Sequence, residues 1–196
     1  VTDQPERIAA LDIGFSTTRS EGSLHWMTRT VSPVALPEGT AKISYTSGST
    51  GTPKGVCLTA EGLIDTARAV KSRLNDLPIE RHLAVLPLAL LLENSAGVYA
   101  PLLRGAEVHL PDLASLGWQG MAGFDPQALQ QKALEVRPHS LILVPELLKA
   151  WTGFLSGSGQ HAPEGLAYAA VGGARVETDL LVRARRFGLP AYQGYG

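Results

Sequence analysis

The sequence has little of what marks several large classes of protein. It contains one cysteine, Cys57, so no disulfide can form within the chain and nothing indicates an oxidising compartment. No apolar run approaches the roughly 20 residues of a membrane-spanning helix, and the N-terminus lacks the basic and apolar segments of a secretory signal. These absences predict a cytoplasmic protein without a membrane span.

An excess of charge of one sign is also missing. The sequence has 17 Lys and Arg residues and 18 Asp and Glu residues, which gives a formal net charge of −1. Proteins that bind nucleic acid through its phosphates usually carry a strongly basic surface, so we expect no nucleic-acid partner. The five histidines are scattered without the spacing of zinc ligands, so we expect no metal site and place them at the surface or at strand ends.

Short apolar runs alternate with helical patterns from Ala41 onward. Thr59 and Asp125 are candidate N-caps, because each precedes a helical pattern, and Gly105 is a candidate left-handed residue after a helix. We read strands at 43–46, 83–86, 107–110, 140–144, 166–171 and 190–192, helices at 60–74, 94–103, 125–136, 145–154 and 178–187, and a surface loop at 156–160. This alternation predicts an α/β fold, a layered, mostly parallel sheet flanked by helices.

Two regions differ in regularity. Residues 1–40 are interpreted as an irregular connecting region with one strand at 24–28, because their apolar patches are short and separated by Ser, Thr, Gly and Pro. Residues 41–196 form the predicted α/β core. The chain ends on an apolar strand that runs into a glycine turn, so we expect the core to be truncated at its C-terminus.

The strongest chemical signal is the run from Thr46 to Gly55, Thr-Ser-Gly-Ser-Thr-Gly-Thr-Pro-Lys-Gly. Its glycines allow the backbone to approach a ligand, its hydroxyls donate hydrogen bonds and its lysine adds a positive charge, which together suit a polyphosphate. It is not a P-loop, because Pro53 stands where the second glycine belongs. The alternative is a flexible linker. The predicted phosphate ligands are Thr46, Ser47, Gly48, Ser49, Thr50, Gly51 and Lys54.

This run resembles the phosphate-binding signature of the adenylate-forming (AMP-binding) superfamily, which includes acyl-CoA synthetases, luciferases and peptide-synthetase adenylation domains. Two further parts agree in order and spacing: Leu86-Pro87-Leu88 with residues 101–106 behind it, and the glycine-rich segments 172–174 and 193–196. From about Ala41 to Gly196 the chain is similar to the central part of that family's large N-terminal domain.

The resemblance implies a two-step reaction. A carboxylate attacks the α-phosphate of ATP to give an acyl-adenylate and pyrophosphate, and a thiol, usually that of coenzyme A, then accepts the acyl group. The residues implied for adenine are Gly172, Gly173, Ala174, Gln193, Gly194 and Tyr195. The residues implied for the acyl pocket are Leu90, Leu91 and Val171, with Leu90 standing where many members have a histidine.

The family's remaining catalytic groups follow later in its sequence. They include a Thr-Glu pair, whose glutamate holds Mg²⁺, and a catalytic lysine in a small C-terminal domain, and all of these are expected beyond Gly196. We therefore assign no catalytic residue to this chain and expect it to be inactive alone. In the full-length protein the resemblance implies ATP, Mg²⁺, coenzyme A and a small carboxylic acid as cofactors and partners.

Alternatives remain for the acid. Glu93 resembles a residue of the long-chain fatty acyl-CoA synthetases, which favours a fatty acid, and it is equally well a solvated glutamate at a helix start. An amino-acid or aryl-acid adenylation domain is the second hypothesis; a buried acidic residue would favour an amino acid, and the apolar stretch around Leu90 offers none. A non-catalytic nucleotide-binding module of the same fold is the third.

Overall fold

The computed structural model describes residues 1–46, 53–120 and 123–194, and the chain divides into two units, Val1–Pro37 and Glu38–Gly196. The first unit contains helix α1 (Pro5–Ala9) and the antiparallel strands β1 (Ser16–Glu21) and β2 (Leu24–Thr28). The strand at 24–28 is confirmed. Helix α1 and strand β1 were not predicted, because every residue of β1 is exposed and its sequence carries no apolar alternation.

The second unit alternates strands and helices as the sequence predicts. Its elements are β3 (Thr40–Thr46), β4 (Lys54–Thr59), α2 (Ala60–Arg73), β5 (Arg81–Leu83), a π-helix (Glu93–Tyr99), α3 (Ala100–Leu103), β6 (Glu107–His109), a 3₁₀ turn (Ala114–Leu116), α4 (Pro126–Val136), β7 (Ser140–Leu143), α5 (Pro145–Ser158), β8 (Tyr168–Val171), α6 (Thr178–Arg186) and β9 (Ala191–Gln193).

Five parallel strands form the central sheet, in the order β6-β5-β7-β8-β9. This sheet and the helices packed on it confirm the predicted α/β class. Because the strands are parallel, their carboxyl ends lie along one edge of the sheet, where open α/β sheets bind ligands. The register aligns His82, Ser140 and Tyr168 in one row across β5, β7 and β8.

Strand β4 is a difference from the prediction. Instead of leading into a helix, the run after Thr46 joins two antiparallel strands, with Thr46 paired to Lys54. The sequence did not indicate β4, because Val56, Cys57 and Leu58 form a run too short to be separated from the helix that follows. Helix α2 packs against both β3 and β4.

The predicted helix caps are confirmed. Thr59 Oγ1 accepts a hydrogen bond of 3.1 Å from Gly62 N, and Asp125 Oδ1 accepts one of 2.9 Å from Gln127 N. Gly105 has the expected positive φ of +80°. The predicted surface loop at 156–160 is wrong in its first half, since α5 continues to Ser158 with those polar residues exposed.

The main core lies between the sheet and helices α4, α5 and α6. Trp151 is fully buried there, and its Nε1 donates a 2.8 Å hydrogen bond to Gln130 Oε1. The opposite face of the sheet is covered by α2, the π-helix and α3, and the π-helix contacts β5 and β7. Among the described residues, none of the helices has the length and apolar character needed to cross a membrane.

Candidate functional site

The structure brings the two segments that were predicted to bind adenine to one edge of the sheet. Gly172 follows β8 directly and Gly194 follows β9, the neighbouring strand. Gly194 N donates to Val171 O at 2.8 Å, and Gly172 N donates to Leu143 O at 3.1 Å. Two glycine backbones thus meet at the carboxyl ends of parallel strands, the position at which such sheets bind nucleotides.

The local geometry explains why positions 172 and 173 are glycines. Gly173 has a φ of +85°, which residues with a side chain rarely adopt. A Cβ added to Gly172 would lie 3.0 Å from Leu92 Cδ2, so a larger residue would have to displace that leucine. This edge therefore presents backbone with few side chains, a surface against which a flat ring can lie. Ala174 and Gln193 flank it, and Tyr195 lies outside the described residues.

Only the two ends of the predicted phosphate loop are described. Thr46 ends β3 and Lys54 begins β4, and both side chains are exposed. Their cross-strand pairing holds the ends of the intervening segment together. The predicted ligands between them, Ser47, Gly48, Ser49, Thr50 and Gly51, lie outside the described residues.

The residues predicted for the acyl pocket occupy three different environments. Val171 is fully buried in the core, Leu91 is half-buried, and Leu90 is 44% exposed. The neighbouring Leu92 instead lines a cavity of about 180 Å³ beneath α2 and the π-helix. The apolar stretch around Leu90 thus contributes to a cavity through Leu92, a residue that the sequence did not single out.

This cavity runs along the face of the sheet from Gly194 toward the beginnings of the strands. Its walls are mainly apolar, and its polar lining comes from a few positions. The apolar lining consists of Val70, Leu74, Ile79, Leu92, Ala96, Ala100, Pro101, Leu141, Ile142 and Ala170, and the polar lining of Lys71, His82, Arg104, Ser140 and Tyr168. Mainly apolar walls with a few placed polar groups are typical of small-molecule sites.

A buried polar chain stands beside the cavity. His82 Nδ1 lies 2.9 Å from Ser140 Oγ, and His82 Nε2 lies 3.2 Å from Glu93 Oε1. The other carboxylate oxygen, Glu93 Oε2, accepts a 2.9 Å hydrogen bond from Leu86 N. His82, Glu93 and Ser140 are at most 3% exposed. Both oxygens of the carboxylate are therefore occupied within the protein.

Two sequence expectations are corrected here. His82 is not at the surface, and Glu93 is not a solvated helix-start residue, because the π-helix turns its side chain inward onto β5. Gly97 of the same π-helix provides the space for the carboxylate. The position of His82 directly before the apolar strand pattern at 83–86 was the one local signal of burial. Its partner Ser140, 58 positions later in the chain, gave none.

The phenol of Tyr168 completes the polar lining. Burial raises the pKa of Tyr168, and nearby Arg73 acts in the opposite direction, so the hydroxyl is neutral at pH 7 and can donate a hydrogen bond. Its ring stacks on Tyr192 of β9 with centroids 5.7 Å apart. Within the described ranges, no group of three or more His, Cys, Asp and Glu side chains could hold a metal ion.

Comparison with known proteins shows the family of the chain. Residues 3–196 match the family described as AMP-binding enzyme. A sulfoacetate–CoA ligase from Cupriavidus necator is 39% identical over 92 residues, which cover 46% of this chain and 18% of that protein. A peroxisomal long chain acyl-CoA synthetase 7 from Arabidopsis thaliana is 42% identical over 66 residues, 32% of this chain and 9% of that protein.

The fold is similar to that of a solved o-succinylbenzoate CoA synthetase from Bacillus subtilis, in complex with its acyl-adenylate intermediate. The TM-score is 0.64 at 26% identity, covering 80% of this chain and 29% of that one. The matched part of the chain thus covers less than a third of each of these three proteins. Since the family match extends over nearly every residue, the chain belongs to the AMP-binding enzymes.

Proposed function

We propose that this chain is the nucleotide-binding part of an ATP-dependent acid–thiol ligase. The observation that carries the proposal is the meeting of Gly172–Ala174 and Gly194 at adjacent strand ends, where the cavity also begins. A ring bound against the glycine backbone and an acyl chain inside the cavity would approach each other at this edge. Adenylation needs that arrangement, because the carboxylate must reach the α-phosphate of ATP.

The proposed reaction has two steps. A carboxylate oxygen attacks the α-phosphorus, the bond to the β-phosphate oxygen breaks, and pyrophosphate leaves with its electron pair. The sulfur of coenzyme A then attacks the acyl carbon, loses its proton and displaces AMP. Lys54 and the hydroxyl-rich run from Thr46 to Gly51 would bind the β- and γ-phosphates, whose charge increases as pyrophosphate departs. No described residue is assigned to Mg²⁺, which neutralises phosphate charge when it is bound.

The substrate that we propose is a carboxylic acid of the fatty-acid type, whose chain is apolar over most of its length. Support comes from the aliphatic lining supplied by α2, the π-helix and the sheet. Among the similar proteins, one is named for sulfoacetate, one for long acyl chains and one for succinylbenzoate. They therefore favour the chemistry of CoA ligation more than any single acid.

An amino-acid substrate is less well supported. Glu93 is a buried acidic residue, contrary to the expectation that this stretch has none, and it could in principle receive an ammonium group. Its two oxygens already contact His82 Nε2 and Leu86 N. An added amino group would have to displace one of these partners, which would leave a buried polar atom unpaired.

The test uses the complete gene product. Pyrophosphate release would be followed with ATP, coenzyme A and panels of fatty, aryl and amino acids. Lys54→Ala should lower kcat/KM about 10- to 100-fold by removing a charged hydrogen bond to phosphate, worth roughly 1.5 to 3 kcal/mol. Lys149→Ala, at an exposed lysine on α5, is the matched control and should leave kcat/KM unchanged. Equal activity of both variants would refute the role of Lys54.

The 196-residue chain by itself is expected to lack ATP–pyrophosphate exchange, since its matched parts cover less than a third of each of these relatives. Exchange catalysed by the purified chain would overturn this expectation. Nucleotide binding by the complete gene product, without pyrophosphate release from any acid, would instead favour a non-catalytic nucleotide-binding module.

A further inference from the structure

The far end of the cavity is polar although its walls are apolar. His82, Ser140 and Tyr168 stand side by side in one register row on β5, β7 and β8, and all three line the cavity. The next lining row toward the carboxyl ends of the strands, Ile142 and Ala170, is apolar. The polar groups are thus concentrated at one depth.

That depth can be located relative to the nucleotide edge. The row of Ser140 and Tyr168 lies four residues before the position of Gly172, or about 13 Å at roughly 3.3 Å per residue. An acid that presents its carboxylate at the glycine edge would direct its other end toward this row. The polar row therefore faces the distal end of an acyl chain.

The positive charges that line the cavity favour an oxygen function at the distal end of the acyl chain. Lys71 and Arg104 both line it, and none of its described lining residues is acidic. Lys71 Nζ donates to Leu103 O at 3.1 Å, and an Arg104 nitrogen donates to Leu74 O at 2.7 Å, so both cations are held in place by main-chain carbonyls. An ammonium and a guanidinium carry more donors than these contacts use.

The volume limits the length of the chain. A cavity of about 150 Å³ can hold benzene, so about 180 Å³ accommodates an acyl group of roughly six to eight carbons. A chain of about 16 carbons would not fit without rearrangement of α2 or the π-helix. The cavity in its present form therefore favours short acids over long-chain acids.

We infer that the acid is compact and carries a second oxygen function, a carboxylate or a hydroxyl, at the end distal to the activated carboxylate. This inference rests on the proposed function. Ser140 and Tyr168 are the specificity residues, since each supplies a hydroxyl to the distal group. His82 orients Ser140 through the 2.9 Å contact at Nδ1 and is itself held by Glu93. A purely apolar chain would cover the Tyr168 hydroxyl and the remaining donors of Lys71 and Arg104 without supplying a partner, which disfavours it.

The test compares acids of one length on the complete gene product. Octanoate, 8-hydroxyoctanoate and octanedioate differ only at the eighth carbon, and hexadecanoate probes length. We expect at least one oxygenated acid to exceed octanoate about tenfold in kcat/KM, the factor that corresponds to roughly 1.4 kcal/mol. Preference for octanoate or hexadecanoate over both oxygenated acids would overturn the inference.

Two variants assign the preference to residues. Ser140→Ala and Tyr168→Phe should each reduce the ratio of kcat/KM values for oxygenated acid over octanoate about 3- to 10-fold. Tyr168→Phe keeps the ring stacked on Tyr192, so it remains informative if Ser140→Ala does not fold. Thr152→Ala, which removes a buried hydroxyl on α5 outside the cavity lining, is the control and should leave the ratio unchanged.

The outcomes separate this inference from the proposed function. If no acid of any class releases pyrophosphate, the proposed function fails, and saturation-transfer NMR of the same eight-carbon acids with the protein then decides the preference of the cavity. If acids are activated but the ratio is unchanged in both variants, the ligase function stands and the specificity role of Ser140 and Tyr168 is wrong.

Discussion

Replacing Gly97 by alanine should destabilise the protein, although alanine normally stabilises a helix. A Cβ at this position of the π-helix would overlap Glu93 Oε1 and lie 2.8 Å from His82 Nε2. The carboxylate cannot retreat, because Glu93 is fully buried and its other oxygen binds Leu86 N. The substitution must therefore separate Glu93 from its partners.

The magnitude follows from the contacts that are lost. Two buried polar groups, Leu86 N–H and the His82 ring, would lose their carboxylate partner, each at about 1 to 3 kcal/mol. The higher helix propensity of alanine offsets roughly 0.5 to 1 kcal/mol of this loss in the free energy of unfolding. The free energy of unfolding of Gly97→Ala should thus fall by about 1 to 5 kcal/mol, measured by urea denaturation followed by circular dichroism.

Two controls make this result specific. Gly153 is exposed on α5, and a Cβ there would meet no described atom within 4 Å, so Gly153→Ala should be neutral or stabilising by about 0.5 to 1 kcal/mol. In a Glu93→Ala background the overlap with the carboxylate is absent, and Gly97→Ala should cost much less. Equal stability of the two glycine variants, or an undiminished cost in the Glu93→Ala background, would refute the steric argument.

Two further predictions concern stability. Trp151→Phe should lower the free energy of unfolding by about 1 to 3 kcal/mol, because Gln130 Oε1 loses the indole N–H while remaining buried; a change below 0.5 kcal/mol in urea denaturation would contradict this. Desolvation, with a smaller contribution from Arg81, lowers the pKa of His139 from its ordinary value of 6.5, so the folded state binds fewer protons than the unfolded chain. The stability due to His139 is therefore present above about pH 6.5 and is lost as the pH falls through the lowered pKa. Urea midpoints at pH 7 and pH 5 should differ less in His139→Gln than in the unmodified protein, and an equal difference would assign the effect to other groups.

Local sequence was sufficient for much of the fold. The caps at Thr59 and Asp125 and the left-handed Gly105 depend on neighbours within a few residues, and all three were found in the sequence. The parallel sheet followed from the alternation of strands and helices. The hairpin strand β4 was missed, because the spacing of apolar residues in the sequence does not indicate its pairing with β3.

The candidate site, like the fold, was predicted only in part from the sequence. Gly172 and Gly194 were predicted from motifs, and the structure brings them together. The polar row was not predicted, because His82 and Ser140 are far apart in sequence and become neighbours only through the register of β5 and β7. Glu93 joins them through a π-helix, a departure from the 3.6-residue repeat that apolar spacing cannot reveal.

Strand β8 has a consequence for how such proteins can diverge. It begins at Tyr168 and leads directly into Gly172, so under the proposed function one rigid segment would fix the separation between the distal end of the acid and the edge where its carboxylate reacts. Ala170 lies between these two points and faces the cavity. A change in the size of that one side chain would select a shorter or longer acid while the nucleotide edge stayed intact. If the proposed function is correct, substrate length and adenylate chemistry could therefore change independently within this sheet.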